Sequence, residues 1–129
     1  MPMAYPDKKR TVAKIFKNAL DGIFQTMQTE RNFRIQMFIA VIVIIAGLYF
    51  QISLVEWLVL IVTVFIVLAL ELMNTAVEKA VDLVTNQYHP LAKLAKDAAA
   101  ASVLLFSIGA AIIGVIIFLT FVLSTLGQI

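Results

Sequence analysis

The sequence of 129 residues contains no cysteine and a single histidine. Without cysteine the chain can form neither disulfides nor thiolate metal sites. His89 has no second histidine or cysteine to complete a metal site, so it is better explained as a residue of the loop in which it lies. Metal chemistry is therefore left to carboxylates, which are hard oxygen ligands.

Charged residues are also scarce, because they make up 14% of the chain, against 62% for apolar residues, and the mean hydropathy is +0.99. Soluble domains contain roughly 25% charged and 45–50% apolar residues, so this composition predicts an integral membrane protein. The formal net charge of +2 is too small to suggest a nucleic-acid partner. A single domain over residues 1–129 would expose much apolar surface, which lipid or other subunits would have to cover.

Three stretches without any charge delimit the membrane spans, at residues 35–55, 57–70 and 98–129. A transmembrane helix needs roughly 20 apolar residues, so the middle span must continue past Glu71. We expect an all-α fold with transmembrane helices at about 33–51, 53–84 and 93–126.

A different kind of helix is predicted before the first span, at about 8–30. Within residues 11–28 the apolar side chains recur at helical spacing, at Val12, Ile15, Phe16, Ala19, Leu20, Ile23, Phe24 and Met27. Lysines and other polar residues occupy the remaining faces, as in amphipathic helices that lie along anionic lipid headgroups. The pattern therefore predicts a surface helix.

The basic residues are concentrated near the N-terminus, where seven of the ten lysines and arginines precede Ile35. Positively charged segments of membrane proteins stay in the cytoplasm. We therefore expect a multi-pass protein with a cytoplasmic N-terminus and an external C-terminus.

The segment ELMNTAVEKAVD at 71–82 places polar residues inside an otherwise apolar helix. At about 100° per residue, Glu71, Glu78 and Asp82 fall within about 20° of one line, and Asn74 lies about 60° to one side. Ionisable groups at membrane depth cost roughly 3 kcal/mol or more each, so their presence on one face indicates a functional site.

The depth of these residues follows from the helix rise. Counted from Glu56, Glu71 lies about 22 Å along the helix and Glu78 about 33 Å, so Glu71 is slightly submerged and Glu78 reaches the interface. Two other charged clusters reach the same level, around Glu30 and at Lys96 with Asp97. Such a layer suits a reaction between a water-soluble substrate and a membrane-embedded one.

The residue types suggest phosphoryl transfer. Glu30 and Glu78 could bind Mg²⁺ together with substrate phosphates, and Glu71 could accept a proton from a lipid hydroxyl. Lys96 could neutralise phosphate charge, and Asn74 could orient a phosphate or nucleotide. The sequence has neither a glycine-rich phosphate loop nor a protein-kinase catalytic loop. The two carboxylates at i and i+7 are also compatible with proton or cation transport.

Several motifs together resemble those of the small bacterial membrane kinases, a family comprising diacylglycerol kinase and the undecaprenol kinases of Gram-positive bacteria. They are TERNFR at 29–34, EW at 56–57, ELMNTAVEKAVD at 71–82 and HPLAKLAKDAAAA at 89–101. The resemblance covers nearly the whole chain. The sequence departs from the family pattern at Gln36 and at Ala101 with Ser102, and neither departure removes a proposed catalytic group.

The resemblance implies a role for each matching residue. It implies that Glu71 is the catalytic base and that Glu30 and Glu78 are the metal-binding pair. The implied nucleotide or phosphate contacts are Lys14, Asn18, Asn74, Lys96 and Asp97. Arg34 is a possible lipid or phosphate contact, and Asp82 either supports a neighbouring site residue or faces water.

The function expected from this resemblance is transfer of the ATP γ-phosphoryl to the hydroxyl of undecaprenol, with Mg²⁺, at the cytoplasmic face of the bacterial plasma membrane. Family members are homotrimers with composite active sites, so the same is expected here. Two alternatives stay open: a diacylglycerol kinase, and a non-enzymatic ion or proton carrier that uses Glu71 and Glu78.

Overall fold

A computed structural model describes residues 11–128. Within this range the chain forms four α-helices and no strand: α1 (Val12–Thr29), α2 (Arg31–Phe50), α3 (Leu54–Val84) and α4 (Pro90–Thr125). The three longer helices are long and apolar enough to cross a membrane. The all-α prediction with three membrane-spanning helices is confirmed, whereas the start expected for the surface helix near residue 8 lies outside the described residues.

Three of the four helix starts, those of α1, α3 and α4, have a local chemical reason. The Thr11 hydroxyl accepts a hydrogen bond from the Lys14 backbone N–H at the start of α1, at 3.3 Å. At α3, Ser53 and Glu56 form a reciprocal capping box, with hydrogen bonds of 2.9 and 3.2 Å. His89 Nδ1 accepts from the Leu91 backbone N–H at 3.1 Å, and Pro90 follows at the first helical position. Such caps satisfy backbone donors that a helix leaves open at its N-terminus.

The turn between α2 and α3 depends on a close helix approach. Gln51 ends α2 in the left-handed region, at φ 53°. A Cβ at Gly47 would lie 2.9 Å from the Trp57 ring and 3.2 Å from Ile52 Cδ1. The Trp57 ring therefore packs partly against the backbone of α2.

The main packing contact joins α3 to α4. Near the α2–α3 turn it includes a small core of Ile52, Leu60 and Ile117. Phe50 extends this core, because its ring centroid lies 4.9 Å from that of Phe121 and 5.8 Å from that of Phe118. This end of the bundle is held by apolar contacts, and the charged groups other than Glu56 lie at the other end.

Most large apolar side chains of the three long helices face outward, as do those of α1. Soluble monomers rarely expose apolar patches larger than a few hundred Å². An exterior of this kind suits contact with lipid chains or with other subunits.

Candidate active site

Four segments of the chain meet at one end of the bundle, which we call the charged end. They are the junction of α1 and α2, the start of α2, residues 71–82 of α3 and residues 93–97 of α4. The segments meet because α2, α3 and α4 run alternately up and down, and an ion pair between Glu30 and Lys79 joins two of them directly.

Glu71 is the one charged residue that is buried within residues 11–128, with 4% of its surface exposed. It lies on the face of α3 that also contains the buried Val67, and the Thr75 hydroxyl donates to its backbone carbonyl at 3.1 Å. No basic side chain of the described chain forms an ion pair with it. A buried carboxyl without a counter-ion is costly, which is typical of groups retained for function.

Glu78 lies about two turns after Glu71 on α3, and the ion pair with Lys79 holds Glu30 beside the same part of that helix. The side chains of Glu78 and Glu30 are only partly buried. The structure thus brings together the three carboxyl groups that the sequence analysis singled out, one deep and two shallow.

Asn74 lies between the deep and the shallow carboxyl groups on α3. Its Nδ2 donates to Glu78 Oε1 at 3.5 Å, which is a long hydrogen bond, and its Oδ1 is buried without a hydrogen-bond partner. Buried polar atoms are nearly always satisfied, so an orphan acceptor at a site suggests a donor that arrives with a ligand or with water.

The carboxyl groups suit a cation that takes most of its ligands from water and from substrate phosphates. The described residues include no group of three or more His, Cys, Asp or Glu side chains able to hold a metal ion. Mg²⁺ usually keeps several waters and binds one or two carboxylates plus substrate phosphates. Glu30 and Glu78, beside the orphan acceptor of Asn74, fit that requirement.

Glu30 occupies the break between α1 and α2 and has one basic neighbour. Lys79 Nζ lies 3.7 Å from Glu30 Oε1, with Lys79 itself mostly exposed. Sequence reasoning assigned Lys79 no role, because it lies off the line formed by the acidic residues of α3. No signal within α3 could have predicted this contact, since it depends on how the α1–α2 junction packs on α3.

The two predicted residues of α4 are engaged in ion pairs. Lys96 Nζ lies 2.5 Å from Asp82 Oδ1 and links α4 to α3. Asp97 pairs with Lys93 one turn earlier in α4. Asp82, which the sequence left between a supporting role and a water-facing one, is thus in contact with Lys96.

Lys14 and Asn18 lie on exposed surface of α1, roughly four and three turns before the junction at Glu30. Within residues 11–128 the Asn18 side chain has no hydrogen bond or ion pair to the carboxyl groups, Asn74 or Lys96. A single chain therefore brings together the carboxyl groups and Asn74, whereas no such side-chain contact links Asn18 to them.

A polar pocket of about 280 Å³ adjoins the Asp82–Lys96 pair. The connection between α3 and α4 supplies much of its lining, which includes Asp82, Asn86, Gln87, His89, Lys93 and Lys96. Around His89 only a loop was predicted from the sequence. The one available signal was that this short polar connection returns the chain beside the acidic face of α3.

A second cavity, of about 570 Å³, lies deeper, between α2, α3 and α4. Its lining is mostly apolar, with polar contributions from Gln36, Thr63 and Ser107. It reaches Leu68, one turn before Glu71, so an apolar space begins just below the carboxyl groups.

These features make the charged end suitable for chemistry between phosphates and a membrane-embedded alcohol. The shallow carboxyl groups suit a cation with phosphates, and the buried Glu71 suits a proton acceptor. The geometry of these residues does not by itself distinguish such an enzyme from a proton carrier. Comparison with known proteins does.

The sequence matches the family described as prokaryotic diacylglycerol kinase over residues 17–118. It is 45% identical to the undecaprenol kinase of Bacillus subtilis over 106 residues, which cover 82% of this chain and 86% of that protein. It is 46% identical to a diacylglycerol kinase of Synechocystis over 100 residues, 77% of this chain and 57% of that protein. A diacylglycerol kinase of Helicobacter pylori is 35% identical over 103 residues, 78% of this chain and 80% of that protein. The chain therefore belongs to the prokaryotic diacylglycerol kinase family.

Proposed function

We propose that this protein transfers the γ-phosphoryl group of ATP to the hydroxyl of undecaprenol and so forms undecaprenyl phosphate. Membership of the family makes the chain a lipid kinase, a phosphotransferase with an alcohol acceptor. The observation that carries the mechanism is the burial of Glu71 beside two shallower carboxyl groups, at one end of a bundle of membrane-spanning helices.

The reaction is placed at the cytoplasmic face of the bacterial plasma membrane. Seven of the ten basic residues precede Ile35, which favours a cytoplasmic N-terminus and, after three crossings, an external C-terminus. The charged end then faces the cytosol, where ATP is available. The exposed apolar side chains of α1, among them Phe16, Leu20 and Phe24, would enter the lipid interface beside it.

Glu71 is proposed as the general base. Its side chain is more buried than those of Glu30 and Glu78, and the lipid hydroxyl would approach it from the membrane side. It would deprotonate or orient this hydroxyl as the oxygen attacks the γ-phosphorus in line. No covalent enzyme intermediate is required.

Glu30 and Glu78 are proposed to hold Mg²⁺, which when bound would offset the negative charge of the ATP phosphates. Asn74 connects this pair to the substrate, because its Nδ2 already contacts Glu78 and its Oδ1 is left to accept from a donor. Its arrangement supports a role in holding the phosphates or the water that accompanies them.

The remaining candidates are proposed to bind the nucleotide. Lys96 would exchange part of its contact with Asp82 for a phosphate oxygen, and Asp97 lies one residue further on. The polar pocket beside Lys96 offers space for a portion of the nucleotide. Lys14 and Asn18 would contribute from α1.

Undecaprenol is favoured over diacylglycerol because the match to the B. subtilis undecaprenol kinase is high and covers most of both chains. Diacylglycerol is the second candidate, because the other relatives named above are diacylglycerol kinases. The deep cavity of about 570 Å³ is apolar and would suit the chain of either lipid.

Kinetics on the two lipids side by side test this choice. Purified protein in detergent micelles would receive labelled ATP with undecaprenol or with diacylglycerol at matched mole fractions. A higher kcat/KM for undecaprenol supports the proposal, and a higher value for diacylglycerol replaces it with the second candidate. Omission of Mg²⁺ should stop the reaction with both lipids.

A homotrimer with composite sites is proposed as the working form. The apolar exterior of the long helices and the small size of the chain both favour association. In addition, no side-chain hydrogen bond or ion pair links Asn18 to the carboxyl groups or to Asn74 in the described part of one chain, which is consistent with a site completed by a neighbouring subunit. Cross-linking in detergent at several protein concentrations would determine the number of subunits.

A further inference from the structure

The guanidinium group of Arg34 makes an unusual contact between two helices. Its NH1 nitrogen donates to the carbonyl oxygens of Met27 and Gln28, each at 3.0 Å. Arg34 lies in the first turn of α2, whereas both carbonyls belong to the last turn of α1. Because the backbone changes direction at Glu30, α1 leaves its last carbonyls without intrahelical partners. A cation at this helix end also interacts favourably with the helix dipole.

The hydrogen bonds of Arg34 span Glu30, the residue that connects α1 and α2. Glu30 ends α1 and precedes α2, with φ −106° and ψ 111°, and its backbone N–H donates to the Thr26 carbonyl at 2.8 Å. Its side chain makes no capping hydrogen bond with α2. The carboxyl group is therefore available to α3, where it meets Lys79 and lies near Glu71.

The first turn of α2 is itself firmly placed. Phe33, the neighbour of Arg34, is 1% exposed and is the most completely buried large side chain within residues 11–128. Arg34 therefore extends from an anchored turn of α2 to the end of α1. By contrast, α1 buries none of its own residues, so few other contacts hold it in place.

We propose that Arg34 is a positioning residue for the Glu30 carboxyl group. By closing the end of α1 onto the start of α2, it sets the direction of the backbone at Glu30 and holds the carboxyl group toward Glu78. Its NH1 nitrogen is committed to the protein backbone, and this contact is present without any phosphate or lipid headgroup. The metal-related part of this inference rests on the proposed role of Glu30, and the structural part does not.

Arg31 provides a matched control. It lies three residues before Arg34 on the same helix, carries the same charge and is exposed, but it has no hydrogen bond or ion pair of its side chain within the described part of the chain. Arg34→Met and Arg31→Met each remove one charge and keep an apolar stem. Arg34→Lys retains a cation that can still donate to the carbonyls.

The first measurement is amide hydrogen exchange of residues 24–34 in detergent, detected by mass spectrometry. Loss of charge-assisted hydrogen bonds should open the end of α1, so Arg34→Met should accelerate exchange there by about tenfold. Arg34→Lys should stay within about threefold of the wild type, and Arg31→Met should leave exchange unchanged.

The second measurement is the binding of Mn²⁺ in the presence of a non-hydrolysable ATP analogue, monitored by electron paramagnetic resonance. Displacement of Glu30 should weaken Mn²⁺ binding by about tenfold in Arg34→Met, with little change in Arg34→Lys or Arg31→Met. The KM for the lipid should stay within about twofold in all three variants, because the backbone contacts of Arg34 do not involve the lipid.

Wild-type exchange in folded Arg34→Met, or an equal acceleration in Arg31→Met, would overturn the proposal. If Arg34→Met does not fold, Arg34→Gln, with its neutral amide donor, should show the same changes at about threefold. Failure of the metal assignment would be recognised separately: Glu30→Gln would then leave Mn²⁺ binding intact, while the exchange measurement would still decide the role of Arg34.

Discussion

Lys96 Nζ lies 2.5 Å from Asp82 Oδ1, and this ion pair links the first turns of α4 to the last turns of α3. The pair lies beside a polar pocket at the same end of the bundle as the carboxyl groups. The contact with Asp82 orients the Lys96 ammonium group, which is proposed to bind phosphate, before a nucleotide binds. We therefore expect Asp82 to affect nucleotide binding through Lys96.

Asp82→Asn should raise the KM for ATP by about three- to tenfold and leave kcat within about threefold, because Lys96 loses its orienting partner. The side chains are 39% and 54% exposed, so the free energy of unfolding should fall by less than about 1 kcal/mol. A double-mutant cycle with Lys96→Met checks the coupling. Asp82→Asn should have no further effect on ATP binding when Lys96 is absent, and independent effects would contradict this prediction.

Glu71→Gln should reduce kcat by about 10²–10⁴-fold and retain Mg-ATP binding, because it removes a proton acceptor and not a phosphate ligand. Lipid phosphorylation and equilibrium nucleotide binding, measured on the same preparation, test this. Glu56→Gln is the control, since Glu56 lies on the same helix at the opposite end and serves the capping box. Normal turnover of Glu71→Gln would refute its assignment as the base.

Glu78→Gln should weaken nucleotide binding only when a divalent cation is present, because the variant loses one of two proposed carboxylate ligands. Titration of nucleotide with and without Mg²⁺ separates this effect from a general loss of affinity. In Glu78→Asp the carboxylate is retained on a shorter side chain, so nucleotide binding should weaken less. An unchanged dependence on Mg²⁺ would contradict a metal-binding role.

Gly47→Ala should lower the free energy of unfolding by about 1–3 kcal/mol, because the added Cβ would lie 2.9 Å from the Trp57 ring. Thermal unfolding in detergent measures the change. Gly109→Ala is the control, since a Cβ there meets nothing within 4 Å and should have no destabilising effect. The double variant Gly47→Ala with Trp57→Phe should recover stability if the indole ring is the cause.

Gln51→Gly should raise the free energy of unfolding by up to about 1 kcal/mol, because Gln51 ends α2 with φ 53°, where residues with a Cβ are disfavoured. The same thermal measurement applies. Gln51→Ala keeps the Cβ and should not stabilise the protein. A loss of stability in Gln51→Gly would show that the glutamine side chain makes a contribution larger than the backbone strain.

Much of the fold could be predicted from the sequence. Three uncharged stretches predict the three long helices, the middle one continuing past Glu71 because its uncharged part is too short to cross the membrane, and Pro90 marks the start of α4. These features are local, because apolar length and backbone chemistry act within one segment. The structure confirms the all-α fold and the three spans.

The candidate site was only partly predictable. The acidic face of α3 follows from helical periodicity, so Glu71, Asn74 and Glu78 could be grouped in advance. Family resemblance, and not geometry, distinguished a lipid kinase from an ion carrier, since a pair of carboxyl groups suits both. Lys79 and the polar pocket were missed, because they depend on contacts between segments distant in the chain.

The sequence by itself determined that this chain folds in a membrane and that it has three membrane spans. It also identified the ionisable residues of α3, whose placement at membrane depth costs free energy and therefore indicates a function. Each of these follows from the polarity of individual residues and from the periodicity of one helix. Only the tertiary structure decided that Glu71 is the buried carboxyl group, that Lys96 faces Asp82 and that Arg34 closes the end of α1. Those relationships depend on which helix faces pack together, which no single segment of the sequence specifies.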